Sequence, residues 1–253
     1  MTNRRDFLRG LLAAGALAGA GGGEALAAKP RRRSAGPHLV EPSPLAQMRQ
    51  IPLALRLDPE TAAGRGARLG LEEAQRAGEL LKLQFQEVPT SEYATVGLVP
   101  PKQEPAGLFL TVGPLLKQGE EPRPRIYSVS ASLEFRRQAL ARHPDRNDIH
   151  VVDWHHDLRK FGADSLNLRF SRRFEQPMDE AAWRGWMAVK LVTELALRYP
   201  DAIATDKIEE LSLDGHKGMP LRFDPRSRHL IQPVYLVDAG EKVVEEVAPE
   251  WTE

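Results

Sequence analysis

The sequence predicts an α/β fold: a single doubly wound, mostly parallel sheet with a C-terminal β-hairpin. Three observations point there. A strand–helix–strand unit occupies 51–88, the order that favours parallel strands joined by a right-handed crossover. Five short strand candidates are mostly apolar along their length, as strands are in a sheet covered on both faces. A long helix with an apolar side, 179–199, is followed by a turn-bounded pair of strands. The chain's 253 residues suffice for one domain or two small ones.

The first 50 residues are expected to stand outside this fold. Arg4 and Arg5 form a positive n-region, an apolar run follows at 11–20, and Ala25-Leu26-Ala27 has the small-x-small form of a signal-peptidase site. Adjacent arginines followed by Phe7 and Leu8 fit a twin-arginine export signal, with Asn3 where Ser or Thr is usual. An ordinary secretory signal or an uncleaved anchor is the alternative. The apolar run is short of the roughly 20 residues of a membrane span. Residues 1–27 are therefore read as a signal peptide, which would place the mature chain in a periplasm. Residues 28–50, rich in Pro, Arg and Ser, read as a disordered linker.

Within the folded part, "IPLALRLD" reads as a strand. Asp58 or Thr61 can cap the following helix, with Pro59 suited to its first turn. Ala63, Ala67, Gly70, Leu71 and Ala74 recur at helical spacing, a small-residue face suited to lying close on a sheet, and Gly78 reads as the stop. "LKLQFQEV" alternates as the second strand. The stretch 89–107 carries Pro100, Pro101 and Pro105, which oppose the crossover helix expected there, so it reads as mostly irregular. "LFLTVG" and "RIYSVSAS" are further strands, "LEFRRQALARH" a short helix and "IHVVD" a fifth strand. In the long helix, Trp183, Met187 and Leu191 share a side with Trp186 and Val189 nearby, which reads as core. Asp224-Pro225 turns the final hairpin and Gly240 ends it, leaving 241–253 as a loose acidic tail. The folded lobe spans 51–240.

Composition excludes several chemistries. There are 35 basic and 35 acidic residues, so no global charge favours nucleic acid or an anionic membrane. No cysteine is present, which removes disulfides and thiolate sites. There is no Gly-x-Ser-x-Gly elbow and no phosphate loop. "GRGARLG" lies inside a helix rather than between strand and helix, so it does not fit a dinucleotide fingerprint. His150, Asp153, His155, His156 and Asp157 are the densest group of metal-ligating residues. Zinc needs ligands converging from one side, whereas neighbours such as His155 and His156 diverge by about 100° on a helix and face opposite ways on a strand. If the segment is helical, Trp154, Leu158 and Phe161 take its buried stripe. His38, His143, His216 and His229 are scattered. No metal site and no cofactor are expected.

The order of elements resembles the type I periplasmic binding proteins, the leucine/isoleucine/valine-receptor group that serves ABC transporters. The segments that carry the resemblance are "ETAAGRGARLGLEEAQRAG", "GLFLTVGP", "RIYSVSAS", "LNLRFSRRFEQPMDEAAWRGWMAVKLVTELAL" and "LDGHKGMPLRFDPRSRHLIQPVYLV". Trp154, "FGADSLNLRF", Met178, Trp183 and "IQPVYL" look most like the branch associated with pyrroloquinoline-quinone-dependent alcohol oxidation. The resemblance implies a non-enzymatic solute-binding role, with an ABC permease or a periplasmic quinoprotein dehydrogenase as partner. It also implies that His155 and His156 belong to a connecting segment, as surface or loop residues. One departure is large. The family has two lobes closing on ligand, and here "RQALARHPDRNDIHVVDW" runs almost directly into the late segment, so one lobe is expected.

A single lobe offers an open shelf at its strand tips, where open α/β sheets bind ligands. Gly113, Ser128, Ser130 and Ser132 are the candidate contacts for a small polar solute. The serines could equally cap a helix and solvate a loop. Two other functions stay open: a protein-interaction module that has lost ligand binding, and a metal-dependent enzyme using the cluster from His150 to Asp157.

Overall fold

The computed structural model describes residues 49–55, 57–81, 83–88, 96–98, 108–111, 125–199 and 207–249, all within one compact unit, Ala46–Glu253. The leader, the linker up to residue 48 and Gly113 lie outside the described residues.

The first unit forms as its pattern dictates. Strand β1 (Arg49–Leu55) pairs in parallel with β2 (Leu83–Val88), from Arg49↔Leu83 to Ala54↔Val88, across helix α1 (Ala62–Leu81). The Thr61 hydroxyl accepts from the Gly64 amide at 3.1 Å and so caps α1, while the Asp58 carboxylate accepts from the Glu60 amide at 2.9 Å in the turn before it. Gly78 does not stop α1, which runs on to Leu81. A Cβ there would lie 2.5 Å from the Leu83 carbonyl oxygen. The glycine is what lets the chain fold straight back into β2.

Three further strands, β3 (Val96–Leu98), β4 (Leu108–Thr111) and β5 (Arg125–Ser128), complete a five-stranded sheet of order β2-β1-β3-β4-β5. This is one of the doubly wound orders. The α/β class holds, and the sheet is mixed: β1–β2 and β4–β5 are parallel, while β3 runs antiparallel to both β1 and β4. Strand β3 lies in the proline-rich stretch read as irregular. Its reversal removes the need for a crossover helix between β2 and β4, because β3 and β4 are antiparallel neighbours and such neighbours can be joined without one.

Among the described residues the remaining elements are helices α2 (Leu133–Leu140), α3 (Ala163–Phe174) and α4 (Glu180–Arg198), a 3-10 turn (Lys207–Glu210) and six short strands. Asp179 caps α4, its carboxylate accepting from the Ala182 amide at 2.8 Å. The small-residue face of α1 packs on α4 rather than on the sheet. A Cβ on Gly66 would lie 1.8 Å from the Ala182 carbonyl, and one on Gly185 2.0 Å from the Ala63 carbonyl. Trp183 and Trp186 are core, as expected. Trp183 stacks on Trp154, with ring centroids 5.7 Å apart and planes 9° off parallel.

Strands β7 (Leu213–Asp214), β8 (Pro220–Phe223) and β9 (Leu230–Ile231) make a small antiparallel sheet. The β8–β9 hairpin turns at Asp224, whose carboxylate accepts from the Arg226 amide and the Ser227 hydroxyl at 2.9 and 2.7 Å. The hairpin is shorter than the sequence suggests. After Gln232-Pro233 the chain crosses into a third sheet of order β11-β10-β6, formed by β6 (His150–Val152), β10 (Val234–Val237) and β11 (Val243–Val247). "IHVVD" is thus a strand, but of this sheet and not of the main one. Strand β11 also corrects the loose tail. Val243, Glu245 and Val247 turn inward in alternation, and the inward Glu245 is matched by Arg142 at 2.6 Å and His143 at 2.7 Å.

Candidate functional site

The tip of β5 is where an open sheet of this kind would present hydroxyls. Ser128 and Ser130 are there, but they face each other, Oγ to Oγ at 2.8 Å, and both are buried. The β8–β9 turn lies over them. The Ser128 amide donates to the Arg228 carbonyl at 2.8 Å, and Ser128 and His229 form a parallel bridge. The Leu230 amide donates to the Ser130 carbonyl at 3.3 Å. Ser132 caps α2, its hydroxyl accepting from the Phe135 amide at 3.2 Å. Of the three serines, Ser132 alone lines the open space beyond.

That space is a cleft of about 1060 Å³ between α2, the β8–β9 hairpin and the end of β11. Gln138 projects from α2 and Arg142 from just beyond its end, Arg222, Arg226 and His229 come from the hairpin, and Val247 and Pro249 close the far side. Its two carboxylates are engaged. Glu209 accepts from the Tyr127 hydroxyl at 2.6 Å. Burial pushes the Asp224 carboxyl up, yet the Arg226 amide and Ser227 hold it below its ordinary value. Of the three guanidinium groups on the walls, Arg142 is ion-paired with Glu245 at 2.6 Å, so with Glu209 and Asp224 the formal charges around the cleft balance.

A second polar centre lies inside the protein. Asp153, fully buried, accepts from Arg136 at 2.9 Å and from Arg184 at 2.7 and 2.6 Å. Glu180 bridges the same arginine, 2.8 Å from Arg184, and accepts from the Asp153 amide at 2.9 Å. The Lys217 ammonium donates to the Asp153 carbonyl, to the Gln232 side chain at 2.6 Å and to the Pro233 carbonyl at 3.0 Å, over the Trp183 ring at 4.2 Å. Burial pushes its pKa down to about 7; the Asp153 charge opposes the shift and that of Arg184 adds to it. The network joins α2, α4, β6 and the loop before β8. Asp153 therefore binds arginines, not metal. No sequence spacing points to Arg136, Arg184, Lys217 or Gln232, because their partners are distant in the chain.

The histidine-rich segment is a turn, not a helix or strand. His150 is exposed on β6. His155 is only 5 % exposed and His156 partly so, and their rings stack with centroids 4.3 Å apart. The divergence expected of neighbours thus does not apply, and His155 is not a surface residue. Phe161 is 58 % exposed instead of buried. A smaller cleft of about 490 Å³ adjoins this turn, lined by Asp157, Phe161, His216, Tyr235, Lys242 and Glu246 among others. Burial lowers the His155 pKa, with the neighbouring His156 acting the same way.

No protein-family model matches the sequence, and no curated protein does. Solved structures of ABC transporter solute-binding proteins are similar to it. One from R. palustris in complex with benzoate has a TM-score of 0.34 at 18% identity, covering 49% of this chain and 37% of its own. A branched-chain amino acid ABC transporter periplasmic ligand-binding protein from Burkholderia xenovorans has a TM-score of 0.36 at 11% identity, covering 80% and 59%. A substrate-binding protein from Sphaerobacter thermophilus has a TM-score of 0.35 at 12% identity, covering 81% and 62%. This chain therefore spans less than two thirds of each of them, and at these scores the likeness carries no conclusion about ligand or role. Among the described residues no helix is long and apolar enough to cross a membrane.

Proposed function

We propose that this protein is a non-enzymatic solute-binding protein whose ligand is a small organic anion held in the cleft beyond β5. One observation carries the reading. The cleft lies at the carboxyl end of a β-strand and has Arg226 on its wall, with Arg142 ion-paired to Glu245 at 2.6 Å and both lining carboxylates hydrogen-bonded. A guanidinium offers a planar fork of donors matched to a carboxylate. An open cleft buries less of a ligand than a closing pair of lobes does, so affinity should be modest, no tighter than about micromolar for an isolated monomer.

The finer assignment rests on the sequence. Arg4, Arg5, Phe7 and Leu8 suit twin-arginine export, with cleavage after Ala27 and a periplasmic destination. The resemblance of "FGADSLNLRF" and "IQPVYL" suggests service to pyrroloquinoline-quinone-dependent alcohol oxidation, with an ABC permease or a quinoprotein dehydrogenase as partner. Benzoate, held by one of the similar proteins, is a suitable first probe, with leucine beside it and benzyl alcohol as the neutral control. Calorimetry should show saturable heat for a carboxylate, none for the alcohol, and loss of that heat in Arg226→Ala. Equal binding of the alcohol, or unaltered binding by Arg226→Ala, would remove the reading. A second reading, a docking module that has lost ligand binding, draws on the internal pairing of Ser128 and Ser130. Flat titrations together with capture of a purified periplasmic dehydrogenase would favour it.

A further inference from the structure

We propose that His155, His156, Asp157 and Glu241 form a divalent-metal site of the zinc class, separate from the solute cleft. One donor atom from each of His155, His156 and Asp157 lies within 4.8 Å of the other two. His156 Nε2 is 4.0 Å from Asp157 Oδ1, and Glu241, from the turn between β10 and β11, brings Oε2 to 3.8 Å from His155 Nε2. The backbone turn makes this possible, with the Leu158 amide donating to the His155 carbonyl at 3.2 Å. A second observation points into the same space. His155 is 95 % buried by the measure of its 5 % exposure, and its Nε2 has no hydrogen-bond partner among the described residues. Its Nδ1 is engaged by the Asp157 amide at 3.2 Å. Buried polar atoms are seldom left unmatched, and an unbound ligand is one reason for an exception.

The donor chemistry selects the metal. Two imidazoles and two carboxylates without a thiolate suit zinc and its first-row neighbours better than calcium or magnesium. Zinc–ligand bonds of about 2.0–2.2 Å place tetrahedral donors roughly 3.3–3.5 Å apart, so the observed separations must close by about half an ångström to somewhat over 1 Å. His156, Asp157 and Glu241, with side-chain exposures of 39, 52 and 70 %, have the freedom to do so. Ligation requires Nε2 of His155 to be unprotonated. The proton moves to Nδ1 and the contact with the Asp157 amide is given up. Arg159, which donates to Asp157 Oδ1 at 3.2 Å, must also yield that oxygen. The bound ion would clip the turn after β6 to the turn between β10 and β11.

The test uses the full chain without an affinity tag, treated with chelator and dialysed. Zinc titration by calorimetry should give one equivalent, and cobalt should give the visible absorption of a tetrahedral site. His155→Ala is set aside as a probe because the residue is buried, so variants at more exposed positions, His156→Ala and Glu241→Gln, are used. Each should weaken zinc binding at least tenfold while leaving the metal-free melting temperature unchanged. No saturable zinc binding would overturn the proposal. So would a stoichiometric site whose affinity both variants leave intact, since the ion would then be held elsewhere.

Discussion

Gly185→Ala tests the packing on which the whole arrangement depends. In an unencumbered helix the change is stabilising by about 1 kcal/mol, because alanine is the better helix former. Here the new Cβ would start 2.0 Å from the Ala63 carbonyl oxygen, and Cβ contacts essentially never fall under 3.0 Å. Helices α1 and α4 must therefore part by about 1 Å, the difference of those two distances. A gap of that size forfeits up to about half of each dispersion contact of ~0.15 kcal/mol, and with on the order of 50 contacts across the seam the loss is roughly 4 kcal/mol. Subtracting the propensity gain leaves a net destabilisation of about 3 kcal/mol. Urea unfolding followed by tryptophan fluorescence reads it directly, because Trp183 and Trp186 sit on α4. The midpoint should fall by about 1–2 M for a typical urea slope. A midpoint that is unchanged or raised would refute the close helix contact, since propensity alone would then be acting.

Two further perturbations address the buried network. Asp153→Asn removes the charge that Arg136 and Arg184 share and should cost about 3–5 kcal/mol in the same urea assay; a loss under about 1 kcal/mol would mean that Glu180 alone suffices to neutralise both arginines. Lys217 has a folded pKa near 7, below its ordinary 10.5. The unfolded chain thus binds more protons between those values, and this group's contribution to stability rises with pH across that window and is lost as pH falls toward 7. Wild type should gain stability relative to Lys217→Met between pH 7.5 and 10, values chosen at roughly the edges of that window. The opposite slope would show that the three acceptors around the ammonium outweigh its burial.

Much of this architecture was legible because it is local. The cap at Thr61, the periodic small residues of α1, the apolar side of 179–199 and the Asp224 turn all act within a few residues of one another, and they produce the parallel β1–α1–β2 unit, α4 and the β8–β9 hairpin. What escaped is set by distant partners. The direction of β3 depends on which strands flank it, and a three-residue strand carries no pattern that announces it. Strand β11 reads Val-Val-Glu-Glu-Val, without apolar–polar alternation, and its inward glutamate is matched by Arg142 and His143 from the residues just after α2. The strand tip does border a large cleft, but Ser128 and Ser130 are spent on each other and on the turn above them. Of the guanidinium groups lining that cleft, Arg142 lies 80 positions before Arg222 and 84 before Arg226, a separation no spacing rule connects.

Mapping benzoate onto the folded chain by amide NMR is the most direct check of the solute-binding account. Shifts that saturate and cluster on Ser132, Gln138, Arg226 and His229, around the cleft beyond β5, are the predicted result. Saturable shifts confined to another face, or a spectrum unmoved at millimolar benzoate, would contradict it.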